Sequence, residues 1–243
     1  MMLLKHETWE NALVLSSERV SVIAIEDVSS LWEMCQELQA QIAGNEGRFL
    51  LFDDTHKQRS IAKEMFVEMN LTNIVINDKK LINSLQKRCA AEFYGHAHQE
   101  LFAEITGILY QVCSEIANNA GLGCRTELNP EIDPSAVFKL FETKFVEDQK
   151  TLLEKLVDQI SLHVEFFNTS IFVYLFPSKF LKPEELAKLY SHCALCGCAL
   201  VFIEDTVTAY ESSNLEYQAI IIDKDGCELT KNIDKGLAEI KIP

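Results

Sequence analysis

Val20-Ser-Val-Ile-Ala-Ile25 is a run of β-branched and small residues that stops at Glu26-Asp27. A run this uniformly apolar reads as a strand buried on both faces, as in a parallel sheet. Ser30 and Glu33 follow at capping-box spacing, and Gly44 offers a stop. They bracket a helix with Leu31, Met34, Cys35, Leu38 and Ile42 on one face. Phe49-Leu-Leu-Phe52, closed by Asp53-Asp54, reads as the second strand. This strand–helix–strand opening predicts a parallel α/β sheet. Further on, Ser170–Phe176, Ala199–Ile203 and Tyr217–Ile222 read as strands of the same sheet. Pro183 fits the first turn of an intervening helix, where its missing N–H costs nothing. The tail after Asp225-Gly226 reads as peripheral.

Between these strands the period changes. Ile61, Met65 and Met69 recur at i+4, as do Leu81, Leu85 and Cys89. Leu101, Ile105, Ile108, Val112 and Ile116 keep helical spacing up to the Asn118-Asn119-Ala120-Gly121 stop, and Leu152, Leu156, Ile160 and Val164 form another face. Asn73–Asn77 reads as a short extended stretch. The predicted fold is α/β: a head of parallel-type sheet over residues 1–56 and 167–243, with a mostly helical leg over 57–166 inserted after the second core strand.

Composition limits what such a chain does. Its 243 residues are 48% hydrophobic and 24% charged, values of a folded protein. The longest apolar run, Ile171 to Phe176, is far below the ~20 residues of a membrane span. No signal peptide is read in the first residues, so a cytoplasmic protein with no membrane partner is expected. Its eight cysteines are expected as reduced, mostly buried thiols. With 22 bases and 37 acids the net charge is −15, which argues against coating nucleic acid with the whole surface. The distribution is uneven, because residues 48–90 hold 8 bases and 5 acids while 91–138 hold 1 and 7. An anion site on this chain is therefore expected to be local.

Several constellations bear on chemistry. Ile25-Glu26-Asp27 and Ile203-Glu204-Asp205 place acids beyond strand ends, where a parallel sheet binds metal or ribose; helix capping is the competing role. These four acids would serve a metal-dependent nucleotide-binding or hydrolysing enzyme, yet the chain has no GxxxxGK[ST] phosphate loop. His192, Cys193, Cys196 and Cys198 have the look of a zinc knuckle but straddle a helix end and a strand start, so small buried thiols are the better reading. His96 and His98, two residues apart, face different ways on a helix. Glu127, Glu131 and Asp133 in a Pro-containing loop suit calcium, with Asp133-Pro134 as a helix cap the alternative. Lys57, Arg59, Lys63, Lys79, Lys80, Lys87 and Arg88 form either a solvated face or an anion track. No catalytic signature stands out.

The stretches VSVIAIEDV, RFLLFDD, TSIFVYLFPSKFLKPEELAKLY, CALVFIED and YQAIIID, in this order and with a helical insertion after the second, resemble the Csn-two family. This is the ring-forming CRISPR-associated adaptation protein of type II-A systems, and the likeness runs from about Val20 to Leu229. The resemblance implies a homotetrameric ring that takes double-stranded DNA through its hole by an end, without sequence readout and without catalysis. It implies calcium as cofactor, held near Glu127, Glu131 and Asp133, in a loop that here also contains Arg125. Its implied partners are the CRISPR integrase complex and the effector nuclease during spacer acquisition. Lys179, in the well-matched PSKFLKPEEL stretch, joins Lys57, Arg59 and Lys63 as the first candidates for DNA contact. Lys79, Lys80, Lys87 and Arg88 follow.

Overall fold

The computed structural model describes residues 1–95, 98–121, 127–129, 132–147, 150–211 and 215–233. The elements, in chain order, are β1 (Met2–His6), β2 (Leu13–Leu15), β3 (Val20–Ile25), α1 (Val28–Ile42), β4 (Phe49–Asp53), β5 (Gln58–Arg59), α2 (Ile61–Glu64) and β6 (Met65–Glu68). Then come α3 (Lys79–Gly95), α4 (Gln99–Asn119), α5 (Pro134–Leu140), α6 (Leu152–Phe167), β7 (Ile171–Leu175) and a 3-10 turn at Pro177–Lys179. α7 (Pro183–Leu195), β8 (Ala199–Glu204), α8 (Thr208–Glu211), β9 (Tyr217–Ile222) and β10 (Glu228–Ile233) complete the series.

The α/β class holds. A six-stranded sheet has the order β10-β9-β3-β8-β7-β6, parallel except for β10 at its edge. β3 and β8 are buried at every position, as strands covered on both faces must be. α1 packs Leu31, Met34, Cys35 and Leu38 into the core. Asp27 caps its start through Ser30 N–H at 2.7 Å, and Gly44, at φ +94°, takes the left-handed position just past its end.

Four local expectations change. Phe49–Asp53 does not join β3; it pairs antiparallel with β1 and β5 in a second sheet ordered β2-β1-β4-β5. Phe49 and Leu51 are buried while Leu50 and Phe52 are half-buried, the one-sided pattern of an antiparallel strand. Ile61, Met65 and Met69 do not share a helix, because α2 ends at Glu64 and β6 begins at Met65, with the β-branched pairing partners Ile171 and Val173 beside it. Asn73–Asn77 is not a strand, although Ile74 and Ile76 are buried. In the tail after Gly226, Glu228–Ile233 is an edge strand, with Glu228 tied to the Glu10 and Asn11 amides at 2.6 and 2.9 Å.

The chain divides into a unit of residues 1–76 and 148–243 and a smaller one of 77–147. The helical insertion is thus narrower than the 57–166 leg read from periodicity, and it interrupts the sheet after β6 rather than after β4. α6 belongs to the larger unit, where Leu156 and Ile160 are fully buried. Its Gln159 meets Glu68 of β6 and Tyr174 of β7, which ties it to the sheet's edge. Within the smaller unit α3 packs against α5, and Asn77 exchanges hydrogen bonds with the backbone of Phe145. Among the described residues no helix is long and apolar enough to cross a membrane.

Candidate nucleic-acid interface

The basic residues fall into three places. Lys57 and Arg59 sit on the β4–β5 hairpin, which Asp53 organises: its Oδ1 accepts from the Thr55 and Lys57 amides at 3.0 and 2.9 Å. These bonds, the Thr55 hydroxyl first among them, hold the Asp53 carboxyl below its ordinary range. Lys57 and Lys63 are exposed, and Arg59 pairs with Glu64 at 3.1 Å and with Asp53 at 4.0 Å. The hairpin group therefore carries its own counter-charges, and Arg59 must trade Glu64 for any phosphate it meets.

On α3, Lys79, Lys80, Lys87 and Arg88 are all exposed, opposite the buried Leu81, Gln86 and Ala90. Seven residues at ~100° each leave Lys80 and Lys87 about 20° apart on one stripe, about 10 Å along the axis. Lys80 lies in the first turn, where the helix dipole disfavours a cation, and Asp78 offsets this by accepting from the Lys80 and Leu81 amides at 2.6 and 3.0 Å.

Lys179 lies elsewhere. Lys63 precedes the amino end of β6 and Lys179 follows the carboxyl end of its parallel neighbour β7. Five residues of strand, about 16 Å, separate those two ends. Lys179 pairs with Asp205 at 3.0 Å, and Glu204 beside it is fully buried. Glu204 accepts from Tyr210 Oη at 2.6 Å and from the Ser178 amide at 3.0 Å, leaving Oε2 without a partner among the described residues. Burial raises its pKa, only partly offset by those hydrogen bonds and by Lys179. Three of the four strand-end acids are thus put to structural use: Asp27 caps α1, Glu204 holds α8 and the 3-10 turn, and Asp205 faces Lys179, while Glu26 is exposed.

The charged form of Glu204 is the disfavoured one in the fold. Its contribution is most favourable below the ordinary carboxyl value of 4.5 and declines as pH rises through the higher folded value. Glu204→Gln keeps an acceptor for Tyr210 and Ser178 and removes the titration. Urea unfolding at pH 4 and pH 8 should show the variant gaining stability relative to wild type only at the higher pH.

The expected calcium loop is spent differently. Asp133 caps α5, with one oxygen accepting from the Ser135 amide at 2.9 Å and the other from the Ser135 hydroxyl. These bonds, the hydroxyl first, lower its pKa. Glu127 is exposed, and Glu131 lies outside the described residues, as do Arg125 and His96. His98 supplies its carbonyl to the first turn of α4. His192 Nε2 stands 2.9 Å from Ser161 Oγ and 3.7 Å from Cys196 Sγ, while Cys193 and Cys198 are buried. Burial pushes both of those thiols up, Cys198 to about 11, so they are protonated packing groups. Among the described residues no three His, Cys, Asp or Glu side chains come together to hold a metal.

One surface was read only as a helix. On α4, Leu101, Ile105, Ile108, Val112 and Ile116 are all exposed, between 46% and 63%. They form one stripe, because spacings of 4, 3, 4 and 4 stay within a quarter of the helix circumference. The half-buried Phe102, Thr106 and Ala117 lie on the other side, and Glu100, Glu104 and Glu115 run along one flank of the stripe. No lysine or arginine occurs on this helix. The periodicity was legible in the sequence; what no single-chain pattern supplies is that nothing among the described residues covers the stripe.

The family model described as CRISPR-associated protein (Cas_Csn2) matches residues 41–226. No curated protein matches the sequence. Among solved structures the chain is similar to Stu0660 of Streptococcus thermophilus, at 10% identity over 96% of this chain and 76% of that one, with a TM-score of 0.56. A nucleotide-free ATP-binding cassette from an ABC transporter aligns at 10% identity over 97% of this chain and 93% of that one, with a TM-score of 0.48.

Proposed function

Because the chain belongs to the CRISPR-associated protein (Cas_Csn2) family, we propose that it binds double-stranded DNA as a homotetrameric ring during spacer acquisition, without sequence readout and without catalysis. The observation that carries the reading is the positive balance of residues 48–90, 8 bases to 5 acids in a chain of net charge −15, with Lys57, Arg59 and Lys63 exposed along the β4–β5 hairpin and α2. Four copies of such a strip turned toward one hole give a positive channel inside an acidic shell. Phosphate contacts there supply affinity with no base preference, and threading by an end supplies selectivity through topology. The uncovered apolar stripe of α4 supports assembly, since a contiguous row of this kind on a folded chain marks an interaction surface.

In this account the protein works in the cytoplasm with the integrase complex and the effector nuclease. Calcium at Glu127, Glu131 and Asp133 would share the Asp133 carboxylate with its cap bonds to Ser135, and no step of the proposal runs through it. Lys179, at the opposite end of the strands from Lys63, would contact a different stretch of backbone from Lys57, Arg59 and Lys63.

The test is a titration of duplex DNA across salt concentrations. Each neutralised phosphate contributes about −0.9 to the slope of log affinity against log salt, so a lined channel gives a slope of several units, equal for unrelated sequences. A slope near zero, or a preference among sequences, would count against the reading.

A further inference from the structure

A cleft of about 180 Å³ opens between the end of α1, the β4–β5 hairpin and the start of α2. Gly44 and Asn45 line it from α1, Phe49 from β4, and the stretch from Gln58 to Ala62 from the other side. Lys57 and Lys63, both exposed, bracket that stretch in the chain. The walls are set by hydrogen bonds. Gln41 donates to the Phe49 carbonyl at 3.1 Å and accepts from the Phe49 amide at 3.0 Å, pinning β4 to α1. α1 ends in a Schellman turn, with the Gly44 amide donating to the Gln41 carbonyl and the Asn45 amide to that of Ala40, at 3.0 Å each. Two of the carbonyls that would repel an anion at this helix end are thus taken up.

Three exposed residues give the lining its chemistry. Asn45 holds the place where a Schellman turn commonly carries an apolar side chain, yet its side-chain amide is exposed and makes no hydrogen bond among the described residues. Ser60 is the N-cap of α2, and its hydroxyl makes no cap bond. Arg59 stands opposite Leu51 in register, so its side chain lies on the face that Phe49 and Leu51 share with the core side of α1. Its ion-pair partners Asp53 and Glu64 lie outside the lining, and among the described residues no aspartate or glutamate lines the cleft.

Arginine with serine and asparagine is a donor set that proteins turn toward phosphate oxygens. We infer that this cleft seats one backbone phosphodiester of the bound duplex, with Asn45 and Ser60 donating to its oxygens beside Arg59. The inference rests on the DNA reading and adds two neutral residues to it. A single arginine matches the one charge of a diester better than the two of a terminal phosphate. Neutral donors matter here because Arg59 reaches a phosphate only by leaving Glu64. The seat draws nothing from the dipole of α2, which is four residues long.

Neutral contacts release no counterion, so a salt titration separates them from charged ones. Asn45→Ala and Ser60→Ala should each weaken binding of a linear duplex by about fivefold or more at fixed salt, the effect of a lost hydrogen bond. Their log–log salt slopes should match the wild type, whereas Arg59→Ala should flatten the slope by about 0.9 for each seat engaged. Asn45→Asp, which keeps the shape and adds a negative charge, should weaken binding more than Asn45→Ala. Gln58→Ala, whose side chain stands opposite Phe52 on the other face of β5, should leave affinity unchanged. Duplexes with phosphorylated and unphosphorylated ends should show the same losses. A wild type indifferent to salt would fail the DNA reading itself. A steep wild-type slope with unchanged affinity in both Asn45→Ala and Ser60→Ala would overturn the seat alone. So would an equal loss in Gln58→Ala, or losses confined to the duplex with phosphorylated ends.

Discussion

Ile108→Asp with Val112→Asp should convert the assembled protein to single chains. Light scattering should report four times 27.6 kDa, about 110 kDa, for the wild type and 27.6 kDa for the variant. Both positions lie mid-stripe on α4 and are exposed in the single chain, at 56% and 46%, so the substitutions remove little packing within it. Far-ultraviolet circular dichroism and the melting profile of the isolated chain should stay as they are. Burying an aspartate in a helix–helix contact, by contrast, requires desolvating a charge with no partner. Glu100, Glu104 and Glu115 beside the stripe add a second expectation, because copies that meet through α4 bring like charges together. Salt screens that repulsion, so assembly should tighten with ionic strength while DNA binding weakens. If the double variant keeps the wild-type mass, α4 is not the assembly face.

Charge reversal should have the largest effect on DNA. Lys57→Glu with Arg59→Glu alters two residues per chain, hence up to about eight phosphate contacts in a four-chain ring and a salt slope shallower by about 7 units. All sequences should lose affinity alike, as backbone contacts carry no base information. Lys80→Glu with Lys87→Glu tests the α3 stripe in the same way. Arg59 gives up a 3.1 Å pair with Glu64 on binding, so its share should be the smaller one in the hairpin. A pair of reversals that leaves both affinity and slope unchanged removes that pair from the interface.

Much of the sheet was legible because fully buried strands have no alternative reading. VSVIAI and ALVFIE are apolar at nearly every position, and both prove to be central. α1 was legible for a related reason, with its apolar face and glycine stop agreeing, although its cap is Asp27 and the Ser30 read from capping-box spacing lies inside the helix. Phe49–Phe52 was harder, since a four-residue apolar run shows neither which sheet it joins nor which way it runs. Its place depends on β1, whose LLKH residues give little alternation to read. Met65–Glu68 was misread because i+4 spacing over three residues fits a helix by accident, and pairing with β7, a hundred residues away, decides the matter.

The site was less legible than the fold. The charge map located the basic stretch, but spacing could not show that Arg59 is paired or that Lys179 lies at the opposite end of the strands from Lys63. Capping chemistry settles two of the acids. Asp27 and Asp133 each stand just before a helix with a serine amide in reach, and that pattern was readable in advance. Glu204 was not, because its burial comes from Tyr210 and the 3-10 turn closing over it.

The central claim is that a closed ring takes duplex DNA by its end. A gel shift at low salt comparing linear duplex with covalently closed circular DNA of the same sequence tests it most directly. The account predicts retention of the linear form alone. Equal retention of both forms would mean an open basic surface and would contradict it.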